Sequence, residues 1–226
     1  MEQRTETNPT QAAVRACYAA AAGAGIGLGC ADPLGFAQLR PGETVLDLGC
    51  GGGMDCLRAA EAVGPRGCVI GVDMTPEMLS LARATLLQAG LANVEFRLGG
   101  IEQLPIADET IDVIISNCVI NLTSDKERVF AEAFRVLGPG GRVCIADVLA
   151  TRPIPQKFLG DQGMVCGCMG GAAAPGELRG WLGGIGFADI RIEIIEQSRA
   201  LISEWAPGTG IEDYVASAMI QAQKPD

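Results

Sequence analysis

From about residue 44 onward, short apolar runs alternate with longer amphipathic stretches. Residues 45–48 (VLDL) and 69–73 (VIGVD) are too short for helices and too apolar for exposed loops, so both read as buried strands. Residues 54–63 between them carry helical spacing, which makes a β-α-β opening. A second helix is expected from Pro76 toward Ala89, with Thr75 as N-cap, Pro76 as first helical residue and Glu77 as the first-turn acid. Residues 93–98, 111–117 and 142–148 read as the third to fifth strands, and 126–137 as a helix closed by Gly138-Pro139-Gly140-Gly141. Past Ala150 the pattern is irregular to Ala174, then helical over 175–185. Two late strands follow at 190–195 and 214–221, the last alternating apolar with small or polar residues as an outer strand would. An Ala-rich helix near 10–22 and a Gly-rich stretch over 23–29 precede the alternation.

Strands joined by crossover helices predict an α/β fold with a doubly wound, mostly parallel, seven-stranded sheet. A chain of 226 residues, 48% hydrophobic and without a charge run or Pro/Ser-rich linker, is expected to form a single domain. Its parts would be a helical cap over 1–40, a core over 41–150 and an extension over 151–226.

The most informative segment is 44–56, TVLDLGCGGGMDC, where a strand runs through Asp47 into a turn with glycines at 49, 51, 52 and 53. Glycines at a strand-to-helix junction let the backbone approach a ligand that a Cβ would repel. The spacing departs from G-x-G-x-x-G, and Asp47 would repel a pyrophosphate, so a cationic, phosphate-free nucleoside such as S-adenosylmethionine fits better. Asp73 ends the second strand, where a carboxylate accepts both ribose hydroxyls. Ligands of such sheets sit at the carboxyl ends of the strands, where Asp47, Asp73, Gly100 and Asn117 all fall.

A formal charge of −10 with no basic stripe disfavours nucleic acid. The longest uncharged stretch, 113–124, is shorter than a membrane span and holds Ser116, Asn117, Asn121 and Thr123. With a polar start and no signal segment, a cytoplasmic protein is expected. There is no histidine, which excludes Ser-His-Asp, Cys-His and His-ligated metal chemistry. Against that stand nine cysteines, at 17, 30, 50, 56, 68, 118, 144, 166 and 168. Reduced thiols are expected in a cytosolic chain, so a disulfide framework is not. Cys68 and Cys144 lie in apolar strand patterns and read as small buried hydrophobes. Packing accounts for Cys17, Cys50 and Cys118 at least as well as reactivity does. Cys30, Cys56, Cys166 and Cys168 stand in or beside Gly-rich sequence, where a thiol stays accessible.

Together these features resemble the class I S-adenosylmethionine-dependent methyltransferases over roughly residues 40–150, with VLDLGCGGG and GVDM as the matching motifs. Within them, VDMTPEML, GGIEQLP, SNCVINLTSDKERVFAEAFRVLGPGGR, GCMGGA and WAPGTGIEDYVASAMIQAQKP resemble the bacterial arsenite methyltransferases over nearly the whole chain. The resemblance implies transfer of methyl groups from S-adenosylmethionine to thiolate-bound arsenite or methylarsenite. A thiol reductant, with thioredoxin or glutathione as possible source, would return the electrons. It matches Cys56 to the cysteine behind the glycine loop, Cys168 to the arsenic-binding cysteine of the central region and Cys30, with Cys17 as the alternative, to the N-terminal cysteine. Many members carry a further arsenic-binding cysteine downstream; none follows Cys168 here, and Cys166 is the candidate to compensate.

The expected cofactor set is thus Asp47, Gly49, Gly51, Asp73, Met74, Ile101, Glu102 and Asn117. Ile101 and Glu102 are placed beside the adenine, and Asn117 near the methionine part. The expected arsenic and redox set is Cys168, Cys56, Cys30 and Cys166. Asp147 reads as a strand terminator, and Trp205 as either a lid over the arsenic site or core filling. Two alternatives share the same motifs: a quinone-type small-molecule methyltransferase with incidental cysteines, and a non-catalytic metalloid-binding protein.

Overall fold

The computed structural model describes residues 9–24, 29–159 and 161–226; the Gly-rich stretch expected over 23–29 falls largely outside them. A helix, α1 (Pro9–Ala24), and a short one, α2 (Pro33–Ala37), precede the first strand. Then come β1 (Thr44–Leu48), α3 (Met54–Val63), β2 (Cys68–Asp73), α4 (Pro76–Ala89), β3 (Val94–Leu98) and β4 (Ile111–Asn117). The chain continues through α5 (Lys126–Val136), β5 (Leu137–Ala150), α6 (Gln162–Cys166), α7 (Pro175–Ile185), β6 (Ala188–Ile195), α8 (Ser198–Trp205) and β7 (Val215–Gln223).

All seven strands form one sheet in the order β3-β2-β1-β4-β5-β7-β6. The first five run parallel, and β7 is antiparallel to both β5 and β6. Alternate side chains along each strand enter opposite layers, as the pleat requires. Val45, Val113, Ile115 and Ala146 pack with Val14 of α1 and with Ala59 and Leu79 of α3 and α4. Leu46, Leu48, Ile114 and Ile145 pack with Phe130 of α5 and Leu182 of α7. Each fully buried Leu or Ile contributes about 1.5–3 kcal/mol, so the two layers fix the sheet and with it the positions of its carboxyl ends.

Three expectations change. The last strand is not an outer one: β7 is buried along most of its length between β5 and β6, and β6 takes the edge. Its small residues, Ala216, Ser217, Ala218 and Ala222, produce the alternation and allow close packing on both faces. Gly138-Pro139-Gly140-Gly141 does not close a turn but begins β5, held by Gly140 N–H to Lys224 O (3.1 Å) and by Lys224 N–H to Gly141 O (2.8 Å). Cys68 is exposed rather than buried, because it is the first residue of β2 and precedes the covered part of the strand. Cys144 is buried as expected. The helices α2 and α8 were not legible in the pattern.

Candidate active site

The turns after β1, β2, β3 and β4 converge on one crevice at the carboxyl edge of the sheet. Gly49 and Gly51 form its floor, Asp73, Met74 and Thr75 one side, and Ile101, Glu102, Leu122 and Thr123 the other. Gly49 and Cys50 both donate through N–H to Val72 O (2.8 and 3.0 Å), which folds the turn back over β2. Gly49 has φ +68, and a Cβ there would stand 2.5 Å from the Val119 side chain, so only glycine fits. Gly51 has φ +50 and nothing within 4 Å of the space its Cβ would fill, leaving bare backbone toward the crevice.

Asp73 is held rigidly: Oδ2 accepts from Gly51 N–H (2.9 Å) and Oδ1 from Thr75 N–H (2.8 Å). Burial raises its pKa, and these N–H groups partly oppose the rise. Helix α1 covers the crevice through Gln11, Val14 and Tyr18. Gln11 Nε2 donates to Glu102 Oε1 (2.7 Å), and Thr123 Oγ1 donates to the same oxygen. This cover was not legible in the sequence, because an Ala-rich amphipathic helix carries nothing that names its target.

A second cavity, of about 210 Å³, adjoins the first and is lined by Cys118, Cys166, Cys168, Met169 and Trp205. Tyr18 lines both spaces. Its hydroxyl donates to the Cys166 carbonyl (3.3 Å). Cys118 follows β4 and Cys168 follows α6, both in left-handed backbone (φ +58 and +63). Non-glycine residues occupy that region only where the surroundings hold them there. The Cys168 thiol donates to the Cys118 carbonyl (2.7 Å). Burial, then the charge of Asp147, pushes the Cys168 pKa well above the ordinary thiol value.

Beneath this cavity sits Asp147, 1% exposed. Its Oδ1 accepts from Asn121 Nδ2 (2.8 Å) and Val148 N–H (2.7 Å), and its Oδ2 accepts from Asn121 N–H at 3.3 Å. Asn121 Nδ2 also donates to the Cys168 carbonyl (3.1 Å), tying the 168 segment to the end of β5. Burial raises Asp147 to about 7. Its carboxylate oxygen and the sulfurs of Cys118 and Cys168 lie within 4.8 Å of one another, more than a strand terminator would require.

Four cysteines are paired, against the expectation of no disulfides: Cys17 with Cys166 (Cα–Cα 6.7 Å) and Cys30 with Cys118 (6.0 Å). The pairs span 149 and 88 residues of sequence, so no local spacing could have announced them. Cys17 and Cys118, read first as packing, therefore join the thiol cluster at the cavity. Cys166 and Cys168 share it although α6 ends at Cys166, because Gly167 and the left-handed Cys168 turn the chain back.

The remaining candidates lie elsewhere. Asn117 Oδ1 accepts from Cys30 N–H (3.0 Å) and its Nδ2 donates to Ala31 O (3.0 Å), so it anchors the Cys30 segment and is not on the crevice wall. Asp47 is buried below the glycine turn, where its Oδ2 accepts from Cys56 Sγ (3.2 Å). Burial, then the nearby Asp55 charge, raises Asp47 to about 7. Cys56 is fully buried, and a Cβ on Gly71 would stand 2.8 Å from both its sulfur and that of Cys50. The hydrogen bond with Cys50, then burial, holds Cys56 well above the ordinary thiol pKa. Cys56 thus sits under the turn and not in the cavity of Cys168.

A sheet of this order, with a glycine turn and an acid-ended second strand facing one crevice, defines a methyltransferase-type domain, and residues 39–197 match the family model described as a methyltransferase domain. An arsenite methyltransferase from Halobacterium salinarum is 50% identical over 203 residues, which cover 90% of this chain and 52% of that protein. One from Aquipseudomonas alcaligenes is 48% identical over 141 residues, covering 59% of this chain and 41% of that protein. The crystal structure of an arsenic(III) S-adenosylmethionine methyltransferase from Chlamydomonas reinhardtii superposes with a TM-score of 0.71 at 32% identity, covering 95% of this chain and 73% of that one. The chain belongs to the arsenite methyltransferase family of methyltransferase-domain proteins. It spans about half the length of the curated relatives it matches. No helix among the described residues is long and apolar enough to cross a membrane.

Proposed function

We propose that this protein methylates trivalent arsenic, taking the methyl group from S-adenosylmethionine. The observation that carries the reading is the adjacency of the two cavities: a backbone-floored crevice with a fixed carboxylate meets a chamber of thiols, with Tyr18 on both walls. Asp73 would hold the ribose, Gly49 and Gly51 would let the ligand approach the main chain, and Met74, Ile101 and Glu102 would flank the base. Bound there, S-adenosylmethionine supplies an electrophilic methyl group. The relatives' arsenite and S-adenosylmethionine names support the choice of both ligands.

Trivalent arsenic is soft and is held by thiolates in preference to oxygen or nitrogen. Cys168 is the principal ligand on this reading, and Cys166 is a chamber neighbour once its pair with Cys17 is reduced. Thiolate-bound arsenic keeps a lone pair as nucleophile, so no general base is needed and a site without histidine loses nothing. The side chains act by positioning and by excluding water, contributions worth several kcal/mol when reacting atoms are held about 3–3.5 Å apart. Cys30 would serve electron return together with its partner Cys118, and Cys56 from beneath the turn. An external thiol, with thioredoxin or glutathione as candidate source, would reduce both disulfides before arsenic enters.

A quinone-type methyltransferase has no use for a chamber walled by Cys118, Cys166 and Cys168. The deciding experiment incubates purified protein with arsenite, a thiol reductant and S-adenosylmethionine and speciates the arsenic. Methylated arsenic is expected. Arsenic bound but unmethylated would favour the metalloid-binding reading, and neither binding nor methylation would return the chain to the small-molecule class.

A further inference from the structure

At the inner end of the thiol chamber two cysteine sulfurs and one carboxylate oxygen converge on a single point. We propose that arsenite is held at a mixed corner made by Cys168, Cys118 and the carboxyl group of Asp147, with Asp147 serving the hydroxyl that arsenic retains. This rests on the arsenic reading above. The three ligand atoms lie within 4.8 Å of one another, and all three residues are buried. Two of the three, Cys118 and Cys168, line the 210 Å³ cavity, which gives a small oxyacid a way to this corner.

Cys118 is paired with Cys30, so the corner forms only after a thiol reductant has delivered two electrons to that bond, leaving two cysteine thiols and one oxidised reductant disulfide. Arsenous acid then exchanges two of its three hydroxyls for the sulfurs of Cys118 and Cys168. Two As–O bonds break, two As–S bonds form, and each thiol proton leaves with a hydroxyl as water. Arsenic stays trivalent, and one As–OH remains.

Asp147 is built to receive that hydroxyl. Its Oδ1 takes the two short bonds, from Asn121 Nδ2 and Val148 N–H, whereas the bond from Asn121 N–H to Oδ2 is the longer one at 3.3 Å. A lone pair of Oδ2 is therefore available to the As–O–H proton. Methylarsonous acid has two hydroxyls, both consumed by the sulfurs, and so leaves Asp147 without a partner. The corner thus separates arsenite from its first methylated product by one hydrogen bond.

Asp147→Asn keeps an oxygen toward Asn121 and Val148 and replaces Oδ2 with a group that cannot accept a proton. On fully reduced full-length protein, equilibrium dialysis with arsenite and, separately, methylarsonous acid reads the difference. Asp147→Asn is expected to weaken arsenite roughly fivefold, the worth of one hydrogen bond, while methylarsonous acid stays within about twofold. Equal losses for both arsenicals, or none, overturn the assignment of Asp147. Cys118→Ser tests the corner independently of Asp147: arsenic-edge absorption should fall from two sulfur neighbours to one, and unchanged coordination overturns the site. A parent protein that binds neither arsenical yet still binds S-adenosylmethionine overturns the arsenic reading itself, which is distinct from a parent that binds both with Asp147 and Cys118 as bystanders.

Discussion

The crevice and the thiol chamber share a wall but are made in opposite ways. The crevice is chiefly backbone: turns after four consecutive parallel strands, a glycine that only glycine can replace, and one carboxylate fixed by two N–H groups. The chamber is made of side chains from the α1 helix, the turn after β4, the end of β5, the 162–169 segment and α8. The crevice therefore inherits its geometry from the sheet and tolerates side-chain change outside a few positions. The chamber depends on sulfur and carboxyl atoms whose positions no single element sets.

The largest break in that comparison is Cys168→Ser. It should abolish methylation of both arsenite and methylarsenite, to below about one per cent of the parent, while calorimetry finds S-adenosylmethionine binding unchanged. Cys30→Ser and Cys56→Ser should reduce arsenite turnover more than methylarsenite turnover when the two are measured side by side. Asp73→Ala does the reverse of Cys168→Ser: it removes the fixed acceptor of the crevice, worth on the order of 1.5–3 kcal/mol, so cofactor affinity should fall tenfold or more with arsenic binding intact. Unchanged S-adenosylmethionine affinity in that variant would show the ribose is held elsewhere.

A smaller effect is read in stability. Burial holds Asp47 and Asp147, one beneath each space, at about 7, against 3.8 for a free aspartate. The folded form thus binds the extra protons, so the stability they contribute is full below pH 3.8 and is lost as pH rises through about 7. Urea unfolding should find the protein less stable at about pH 8 than at about pH 5, and Asp47→Asn, which cannot ionise, should shrink the difference by a few kcal/mol. No change in the difference would mean that Asp47 is ionised in the fold. The smallest effect belongs to the shared wall: Tyr18→Phe keeps the ring and removes the bond to the Cys166 carbonyl. Arsenic turnover should drop about fivefold, near 1 kcal/mol, with cofactor affinity within about twofold.

The same division explains what the sequence disclosed. Helices α3, α4 and α7 and the strands β1 to β4 were legible because periodicity, caps and glycines are local signals. Gly49, Gly51, Asp73, Ile101 and Glu102 followed from the rule that ligands meet the carboxyl ends of parallel strands, and all five line the crevice. β7 was misplaced because alternation of small and apolar residues describes both an exposed face and a tightly packed one. Cys17 and Cys118 were passed over, and Asp147 was taken as a strand end, because their importance comes from partners between 21 and 149 residues away. The partners of Asn117 were not legible for the same reason: it bonds Cys30 N–H and Ala31 O, which reach it only through the path of the chain before β1.

The central claim is that a methyl group passes from the crevice to arsenic held in the chamber. A single turnover on reduced protein, with arsenite and methyl-labelled S-adenosylmethionine each at one equivalent, tests it most directly. The account predicts label in methylarsenic released after oxidation, approaching one methyl per protein, and none from Cys168→Ser. Label retained in the cofactor, or found on a cysteine of the protein instead of on arsenic, would contradict it.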